Sequence, residues 1–443
     1  LEVVPELMSS VGEWVITGPR VGESMGSVLT LADAGFAGKR VLLRVDVNCP
    51  LDPETGNFLD DSRMRGVLPT LRRLASSRVI ILAHQSRPGR IDFTNTSAHA
   101  DLLGRLLGRP ITFVPDVCGD IAQDAIRNMH AGDMLFLNNV RGHEDEMGMK
   151  KANFDELHES EIIQNLAPLV DAYVCDAFAA SHRNSPSLSG FGKALPCFAG
   201  ELMAKEISAL KMATESPPKP YTAILGGVKC DDTLEIALNL CQRGADTIAF
   251  VGAVGNLMLW ADGHNLGEGN ETFLRKELGS AFTSTWDMAN SLLSDYRERL
   301  LLPADLAAEV EGNRIDISVE ALPPPGPLYD IGLYTCMRIR EHIVDAGCVL
   351  WNGPAGLFEK DEFAFGTIEI LNQCCESNAF VIIGGGHTSA LVNTRKVVEL
   401  VDHNSTGGGA CLNMLAGRRM PVIEALEASA ELFEDRLEEL DLS

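Results

Sequence analysis

The stretch that decides the fold is Arg40-Val-Leu-Leu-Arg-Val-Asp-Val-Asn48, a mainly apolar run that ends in polar residues. Its apolar residues are contiguous rather than alternating, which is typical of a strand buried on both faces of a parallel sheet. The same pattern recurs along the whole chain. It predicts strands at residues 40–47, 78–83, 134–137, 172–175, 221–225, 247–251, 348–351 and 380–383.

Helix-like segments separate these strands. Residues 64–75, 98–107 and 233–242 carry apolar side chains at helical spacing. Any single apolar run also fits a buried helix, but their regular repetition favours strands. The alternation of strand and helix predicts an α/β fold with doubly wound, Rossmann-like parallel sheets.

A break near residue 205 divides the chain. A long helix is predicted over residues 198–214, and prolines at 217, 218 and 220 end it and stiffen the connection. At about 150 residues per domain, a chain of 443 residues allows two or three domains. We expect an N-terminal domain over 1–205 and a C-terminal domain over 206–417, joined by a helical hinge. Residues 1–28 lack periodicity and are expected to form an irregular extension.

The charge balance excludes several classes of partner. With 62 acidic and 37 basic residues, the formal net charge is −25, so the chain should repel nucleic acid and anionic membranes. No apolar run reaches the ~20 residues of a membrane span, and the N-terminus lacks a signal-peptide pattern. The eleven cysteines form no C-x-x-C pair, which is typical of reduced thiols and disfavours zinc. We therefore expect a cytoplasmic protein.

In the first half, polar and basic residues follow the predicted strands. Ligands of parallel sheets bind beyond the carboxyl ends of the strands, and forked guanidinium groups suit carboxylates and phosphates. One such residue could be an ordinary surface arginine or loop histidine, but four strand ends agree. With Arg44 just inside the first strand, the sequence predicts an anion pocket built from Asp46, Asn48, His84, Arg87, Arg141, His182 and Arg183.

In the second half, glycines follow the predicted strands instead. Glycine lets backbone N–H groups approach a phosphate, and a helix N-terminus adds a favourable dipole. One Gly-Gly pair is only a turn, but several at strand ends favour a nucleotide phosphate site. Neither a Walker A motif, a dinucleotide fingerprint nor the protein-kinase signature set is present. The segments are Gly226-Gly227-Val-Lys229, Gly252 with Gly255, Asn352-Gly-Pro354, Gly384-Gly385-Gly386 and Ser405-Thr-Gly-Gly-Gly409.

Together the two halves suggest a small anionic substrate on one domain and a nucleotide on the other. Phosphoryl transfer between them follows, because that reaction needs mainly positioning and charge stabilisation. The residues alone do not name the substrate.

From about residue 29 to about residue 426, the sequence resembles the phosphoglycerate kinase family. Single motifs match loosely, but their order over most of the chain is specific. The matching segments are Arg44-Val-Asp-Val-Asn48-Cys-Pro50, Arg63 with Pro69-Thr-Leu71, Ala83-His84-Gln-Ser-Arg87-Pro88, Asn139-Val-Arg141, Asp176-Ala-Phe178 with His182-Arg183, Gly226-Gly-Val-Lys229, Trp351-Asn-Gly-Pro-Ala-Gly-Leu-Phe-Glu359 and Ser405-Thr-Gly-Gly-Gly-Ala410.

The resemblance implies reversible phosphoryl transfer between 1,3-bisphosphoglycerate plus ADP and 3-phosphoglycerate plus ATP, with Mg²⁺. It implies that the N-terminal domain binds the phosphoglycerate and that residues 418–443 return to that domain. Arg63 would stabilise the moving phosphoryl group, and Lys229 would contact it. The acceptor would meet Asp46, Asn48, Arg63, His84, Arg87, Arg141, His182 and Arg183. The nucleotide would meet Gly226, Gly227, Lys229, Asn352, Glu359, Gly384, Gly385, Gly386, His387, Thr388, Thr406, Gly407 and Gly408.

Two positions depart from the family pattern and leave the metal ligand open. The family's GGGD motif has an aspartate where this chain has His387, and its second lysine is replaced by Thr233. Both changes resemble the archaeal branch of the family. Neutral imidazole is a poorer ligand for Mg²⁺ than carboxylate. Hydrogen bonding of His387 to a phosphate is therefore the preferred interpretation, with Asp231 or Asp232 as alternative metal ligands.

Two alternatives to this function stay open at the level of sequence. The first is a kinase of the same fold for another small carboxylic acid, against which Asp46, Asn48 and the arginines argue. The second is a nucleotide-binding relative without turnover, supported only by His387 and Thr233. We expect a monomer, with a dimer as the alternative, and no motif distinguishes ATP from GTP.

Overall fold

The computed structural model describes residues 27–442, and these residues form two compact units. Unit 1 contains residues 27–205 and 419–442, and unit 2 contains residues 206–418. The expected irregular extension over residues 1–28 lies almost entirely outside the described residues. The predicted fold class is confirmed, since each unit is built on a parallel sheet with helices between its strands.

Unit 1 is built on a six-stranded parallel sheet. Its strands are β1 (Arg40–Val45), β2 (Arg78–Leu82), β3 (Thr112–Val114), β4 (Met134–Leu137), β5 (Ala172–Asp176) and β6 (Cys197–Ala199). They lie in the order β3-β4-β2-β1-β5-β6. Every residue of β4 and β5 is buried, which explains why these runs are continuously apolar. The short edge strands β3 and β6 were not predicted from the sequence.

The strand order of unit 1 reverses at β1. Strand β1 pairs with β2, the next strand along the chain, on one side and with β5 on the other side. Asp46 and Asn48 directly follow β1, and Asp176 ends β5. Ligands of doubly wound sheets bind at such a switch point, because the loops that leave the two strands diverge there.

The helices of unit 1 are short. The single helix predicted over residues 64–75 is interrupted at Val67, because Pro69 occupies the first turn of a second helix. The helices up to the unit boundary are α1 (Ser62–Gly66), α2 (Leu68–Arg73), α3 (Ser97–Leu107), α4 (Asp120–Arg127), α5 (Glu144–Gly148), α6 (Phe154–His158), α7 (Glu161–Leu166) and α8 (Pro186–Ser189).

Helix α9 (Glu201–Glu215) carries the chain from unit 1 into unit 2. Its predicted start at residue 198 is wrong, because residues 197–199 form β6, while its end before the prolines is confirmed. The buried carboxylate of Asp176 accepts a hydrogen bond from the Met203 N–H (3.0 Å) in the first turn and one from Thr70 Oγ1 (2.6 Å). A negative charge at a helix N-terminus is favourable, but burial raises the pKa of Asp176 to about 6.

Unit 2 contains a second six-stranded parallel sheet and a small antiparallel sheet. Its strands are β7 (Tyr221–Leu225), β8 (Thr247–Phe250), β9 (Leu300–Leu301), β10 (Asp305–Val310), β11 (Asn313–Ser318), β12 (Leu328–Ile331), β13 (Cys348–Asn352), β14 (Phe380–Gly384) and β15 (His403–Asn404). The parallel order is β15-β14-β13-β7-β8-β9, and the antiparallel order is β11-β10-β12. The strand order of the parallel sheet reverses at β7, which pairs with β8 on one side and with β13 on the other.

The helices of unit 2 lie between these strands, and a last helix belongs to unit 1. Ser429 of that last helix accepts a hydrogen bond from the Cys197 N–H of β6 (2.9 Å). The acidic amphipathic pattern of residues 421–441 predicts a helix over that whole stretch, but the helix ends at Phe433. The helices are α10 (Cys230–Gln242), α11 (Gly252–Ala261), α12 (Glu268–Leu278), α13 (Phe282–Tyr296), α14 (Leu333–Val344), α15 (Phe365–Glu376), α16 (Gly386–Thr394), α17 (Gly409–Leu415) and α18 (Pro421–Phe433).

All eight strands predicted from apolar runs are present, with ends that agree to within two residues. All eleven cysteines are free thiols, and ten of them are buried. Over residues 27–442, no helix combines the length and the apolar character needed to cross a membrane.

We predict that Asp176→Asn changes how stability depends on pH. The pKa of Asp176 rises from its usual 3.8 to about 6 on folding. The stability contributed by the protonated acid is therefore complete below pH ~4 and is lost as the pH rises to about 6. One unit of pKa corresponds to about 1.4 kcal/mol. Urea unfolding from pH 4 to pH 7 should show the wild type losing about 2–3 kcal/mol relative to the variant. A pH-independent difference would contradict the prediction.

Candidate functional site

Two neighbouring cavities lie at the carboxyl edge of the unit 1 sheet. They share Arg87, Arg141 and Arg183. The larger, of about 350 Å³, is lined by Arg44, His84, Arg87, Arg141, Glu146, Met147, Lys150, His182, Arg183, Asn184, Ser185 and Leu188. The smaller, of about 300 Å³, is lined by Asn48, Ser86, Arg87, Arg90, Asp92, Arg141 and Arg183. Three arginines line both cavities, and Asp46 lines neither. The other six residues predicted for an anion pocket all line one or both: Asn48, His84, Arg87, Arg141, His182 and Arg183.

Asp46 anchors Arg63 at the switch point of the sheet. The Arg63 Nη1 atom lies 2.7 Å from Asp46 Oδ2, and the Asn48 N–H donates to Asp46 Oδ1 at 3.1 Å. Burial alone would raise the pKa of Asp46, but the charges of Arg63 and Arg44 and the hydrogen bond from the Asn48 N–H lower it. Asp46 is thus an ionised group near neutral pH. Because the Arg63 side chain is 39% exposed, its other N–H groups can reach a ligand.

Ser86 shapes the loop that presents Arg87. Its φ of 56° lies in the left-handed region, which residues other than glycine adopt uncommonly. The Ser86 N–H donates to Asn48 Oδ1 (2.8 Å), its hydroxyl donates to Asp92, and its carbonyl accepts from Arg141. A left-handed serine is strained, so these three hydrogen bonds hold the conformation. The side chain of Asn48 thus orients this loop as well as lining the smaller cavity.

The shared arginines form a cluster of like charges. Arg87 is exposed, whereas Arg141 and Arg183 are half-buried. Burial, together with the charge of the neighbouring Arg183, lowers the pKa of Arg141 to about 10. Burial likewise lowers the pKa of Arg183. Both side chains stay protonated at neutral pH, so the cluster favours a ligand of high negative charge.

In unit 2, the loops after β7 and β13 are packed backbone to backbone. The Gly226 N–H donates to the Asn352 carbonyl (2.8 Å), and the Gly227 N–H donates to the Pro354 carbonyl (2.9 Å). A Cβ on Gly353 would lie 2.3 Å from the Gly226 carbonyl oxygen. The amides of Gly226 and Gly227 therefore hold the two loops together, and these glycines permit a close approach rather than presenting free N–H groups.

The segment after β14 offers the more open amides. Helix α16 begins at Gly386, and the first N–H groups of a helix have no partner within it. The Thr388 hydroxyl is already engaged, because it donates hydrogen bonds to the carbonyls of Gly384 and Gly385. Asn352 Oδ1 is buried and lacks a hydrogen-bond partner in the described part of the chain. This arrangement suits a bound phosphate with its associated water.

Glu206, which the sequence did not single out, organises the segment after β15. Its carboxylate is buried and accepts hydrogen bonds from the Thr406 N–H (2.7 Å) and from Thr406 Oγ1 (2.8 Å). Ser405 Oγ and His403 Nε2 contact its other oxygen, each at 2.8 Å. Burial opposes ionisation, but His403 and these hydrogen bonds lower the pKa of Glu206. The polar groups of Thr406 are thus engaged within unit 2.

Three of the remaining predicted residues of unit 2 have exposed side chains. Lys229 precedes the first turn of α10 and is exposed, as are Glu359 and His387. The ring of His387 lies 6.1 Å from that of Phe358, with an angle of 59° between the planes. These side chains are open to a large ligand. Gly407 and Gly408 lie just before α17.

The possible metal ligands after β7 differ in their partners. Asp232 Oδ1 accepts a hydrogen bond from Arg418 (2.7 Å), so its charge is already compensated. Asp231 is exposed in the first turn of α10, close in sequence to Lys229. A carboxylate in that position fits the oxygen preference of Mg²⁺ better than His387 does.

Elsewhere in residues 27–442, one cluster has metal-ligand chemistry: Cys118, His143 and Glu161, whose ligand atoms lie within 4.8 Å of one another. His143 Nδ1 accepts a hydrogen bond from the Asp145 N–H (3.3 Å), which leaves the ring proton on Nε2, facing Glu161. Burial raises the pKa of the Cys118 thiol to about 12. Both features disfavour metal binding, because ligands bind through deprotonated atoms.

These features define a two-unit α/β protein with clustered arginines at the sheet edge of one unit and glycine-rich loops at the sheet edge of the other. The family model described as "Phosphoglycerate kinase" matches residues 31–418. The chain therefore belongs to the phosphoglycerate kinase family.

Relatives and solved structures agree with this family. A phosphoglycerate kinase of Methanothermus fervidus is 41% identical over 401 residues, covering 90% of this chain and 96% of that protein. One of Thermoplasma acidophilum is 38% identical, covering 90% of this chain and 97% of that protein. The crystal structure of phosphoglycerate kinase from Pyrococcus horikoshii has a TM-score of 0.80 at 34% identity, covering 91% of this chain and all of that one.

We predict that Gly353→Ala destabilises unit 2 far more than Gly244→Ala does. Both glycines have a left-handed φ, of 89° and 87°. A Cβ at Gly353 would lie 2.3 Å from backbone, whereas at Gly244 the nearest atom is the flexible end of Lys219 at 3.8 Å. Gly244→Ala should cost about 1 kcal/mol of strain, and Gly353→Ala about 3 kcal/mol or more because backbone must move. Equal losses in thermal or urea unfolding would contradict the close-approach role.

Proposed function

We propose that this chain catalyses reversible phosphoryl transfer between 1,3-bisphosphoglycerate plus ADP and 3-phosphoglycerate plus ATP, as a phosphotransferase with a carboxyl acceptor. Family membership over residues 31–418 supports the reaction class. The observation that carries the substrate assignment is the pair of cavities that share Arg87, Arg141 and Arg183. An acceptor with a phosphate at one end and a carboxylate at the other matches this distribution of charge.

In this proposal, unit 1 binds the phosphoglycerate. The shared arginines hold its phosphate, since guanidinium groups form paired, charge-assisted hydrogen bonds with phosphate oxygens. Asp46 and Asn48 meet the hydroxyl and carboxylate end, and Asp46 also keeps Arg63 in place (2.7 Å). His84 and His182 line the larger cavity and contribute hydrogen bonds.

Unit 2 binds the nucleotide in this proposal. The first amides of α16, at Gly386, His387 and Thr388, face the phosphates, with Asn352 beside them. Glu359 hydrogen-bonds the ribose. Gly226 and Gly227 act through the shape of their loop, because their N–H groups are already engaged. Thr406, Gly407 and Gly408 form the loop that borders the phosphates, and the first two act through the shape of this loop, because their N–H groups are already engaged.

The chemistry requires positioning and charge neutralisation rather than a covalent intermediate. A carboxylate oxygen of 3-phosphoglycerate attacks the γ-phosphorus of ATP, and the bond from that phosphorus to the bridging oxygen of ADP breaks. The carboxylate is already ionised, so no general base is needed. Arg63 and Lys229 stabilise the negative charge on the transferring group, which is the largest contribution a protein makes to this reaction class.

Mg²⁺ neutralises nucleotide phosphate charge in this reaction class, and Asp231 is the carboxylate of this chain proposed to hold it. We predict that Asp231→Asn raises the Mg²⁺ concentration needed for half-maximal rate by about tenfold, which corresponds to about 1.4 kcal/mol. His387→Asn should leave that concentration within about twofold, since imidazole is a poor Mg²⁺ ligand. Titrating activity with Mg²⁺ at saturating ATP measures both. The reverse ranking would assign the metal to His387 instead.

We predict that Arg63→Ala lowers kcat by about a hundredfold or more, with a much smaller effect on the Kd of 3-phosphoglycerate. A donor that stabilises developing charge contributes ~2.7–4 kcal/mol. Arg65→Ala is the matched control, because Arg65 lies on the same helix, is exposed and pairs with Asp61. Steady-state kinetics and calorimetric titration separate the two parameters. An unchanged kcat in Arg63→Ala would remove Arg63 from the catalytic role.

One assay tests the proposed function itself. Purified protein, 3-phosphoglycerate and Mg-ATP should yield an acyl phosphate, detected by coupled reduction. Turnover with another small acid only would favour the same-fold alternative, and nucleotide binding without turnover would favour the non-enzymatic one. We further propose that the protein acts in the cytoplasm as a monomer on these small molecules, without nucleic acid or membrane partners.

A further inference from the structure

Arg44 is a buried cation beside the larger cavity. It belongs to β1, and its side chain is 1% exposed. Its Nε donates to Ser187 Oγ (3.0 Å), and the Ser187 hydroxyl donates to the buried carboxylate of Glu146 (2.8 Å). The Ser185 hydroxyl and the Ser187 N–H donate to the same carboxylate, at 2.8 and 2.9 Å. This chain of hydrogen bonds offsets the cost of burying the guanidinium and fixes its orientation.

The far end of the Arg44 guanidinium contacts His84. The Arg44 Nη2 atom lies 3.1 Å from His84 Nδ1. Arginine has donors only, so His84 Nδ1 has to be the acceptor and cannot carry a proton. The ring proton therefore sits on Nε2. That atom is buried and has no hydrogen-bond partner within residues 27–442, although His84 lines the larger cavity.

The charged groups around His84 oppose protonation of its ring. Burial has the largest effect and lowers the pKa of His84 well below its usual 6.5. Asp46 attracts a second proton, whereas Arg44, Arg141 and Arg183 repel it. A second proton on Nδ1 would also face the N–H of Arg44. The imidazole is therefore neutral at physiological pH, with one N–H donor and one acceptor.

We propose that Arg44 is a positioning residue that holds His84 as a neutral Nε2–H donor for an oxygen of the bound acceptor. The buried donor that is unpaired in the free protein gains its partner when the acceptor enters the larger cavity. Because this donor is present in the neutral ring, the contact does not depend on pH near neutrality. The identity of the acceptor rests on the proposed function, but the state of the His84 ring in the free protein does not.

The first test is nitrogen NMR of the full-length protein labelled in its histidines, between pH 5.5 and 8.5. His84 should show a proton on Nε2 and none on Nδ1 across this range. Added 3-phosphoglycerate should shift His84 Nε2. His99 is the internal control, because it is equally buried and already bonded through Nε2 to Gln85 (3.0 Å), so it should not shift. A proton on Nδ1, or a His84 that titrates near 6.5, would overturn the proposal.

The second test is the pH profile of KM for 3-phosphoglycerate in Arg44→Met and Arg44→Lys. Arg44→Met removes one of the charges that oppose protonation of His84, so the ring should take up a second proton at a higher pH than in the wild type, although burial still opposes it. Because an imidazolium attracts an anionic acceptor more strongly than a neutral ring, the ratio of KM in Arg44→Met to KM in the wild type should be several-fold lower at pH 5.5 than at pH 8. Arg44→Lys keeps the positive charge, so its ratio should stay flat. A flat ratio in Arg44→Met would mean that Arg44 has only a structural role.

The two tests separate this proposal from the proposed function. If Arg44→Met does not fold, Arg44→Lys and the wild-type spectra still decide the state of the ring. An Nε2–H ring that shifts with 3-phosphoglycerate in a protein without turnover would uphold the role of Arg44 while contradicting the catalytic function. Turnover by a protein whose His84 ring titrates near neutral pH would support the catalytic function and contradict the proposed role of Arg44.

Discussion

The candidate site of unit 1 depends on the reversal of strand order at β1, which has β2 on one side and β5 on the other. At such a reversal, successive loops leave the sheet edge in opposite directions, and the gap between them admits a ligand. In unit 1, Asn48 follows β1 while His84 and Arg87 follow β2, and these three residues line the cavities at this edge. In unit 2 the loops after β7 and β13 stay in contact, so Gly226 and Gly353 occur where backbone meets backbone.

Charge compensation distinguishes unit 1 from an ordinary basic surface. The chain has a formal net charge of −25, so its cations attract anions only where they are concentrated. Arg44 is balanced by Glu146 through Ser187, and Arg63 is balanced by Asp46. The arginines that line both cavities lie next to one another instead, and the lowered pKa of Arg141 reflects this repulsion together with burial. A bound polyanion relieves that repulsion, so affinity should increase with the negative charge of the ligand.

The sequence predicted the parallel sheets well, because strands buried on both faces must be continuously apolar. It missed β10 to β12, since β11 is largely exposed and carries polar residues. The site residues of unit 1 could be predicted from their positions after strands. The engagement of the Gly226 and Gly227 amides could not, because it depends on β13, more than 100 residues later. Glu206 and the contact between Arg44 and His84 are likewise tertiary features that no local pattern records.

The most direct test of this account is a crystal structure of the protein with 3-phosphoglycerate. The account predicts the phosphate on Arg87, Arg141 and Arg183, the carboxylate end toward Arg63, and a hydrogen bond from His84 Nε2 to the ligand. A phosphate bound away from these three arginines, with His84 Nε2 still unpaired, would contradict it.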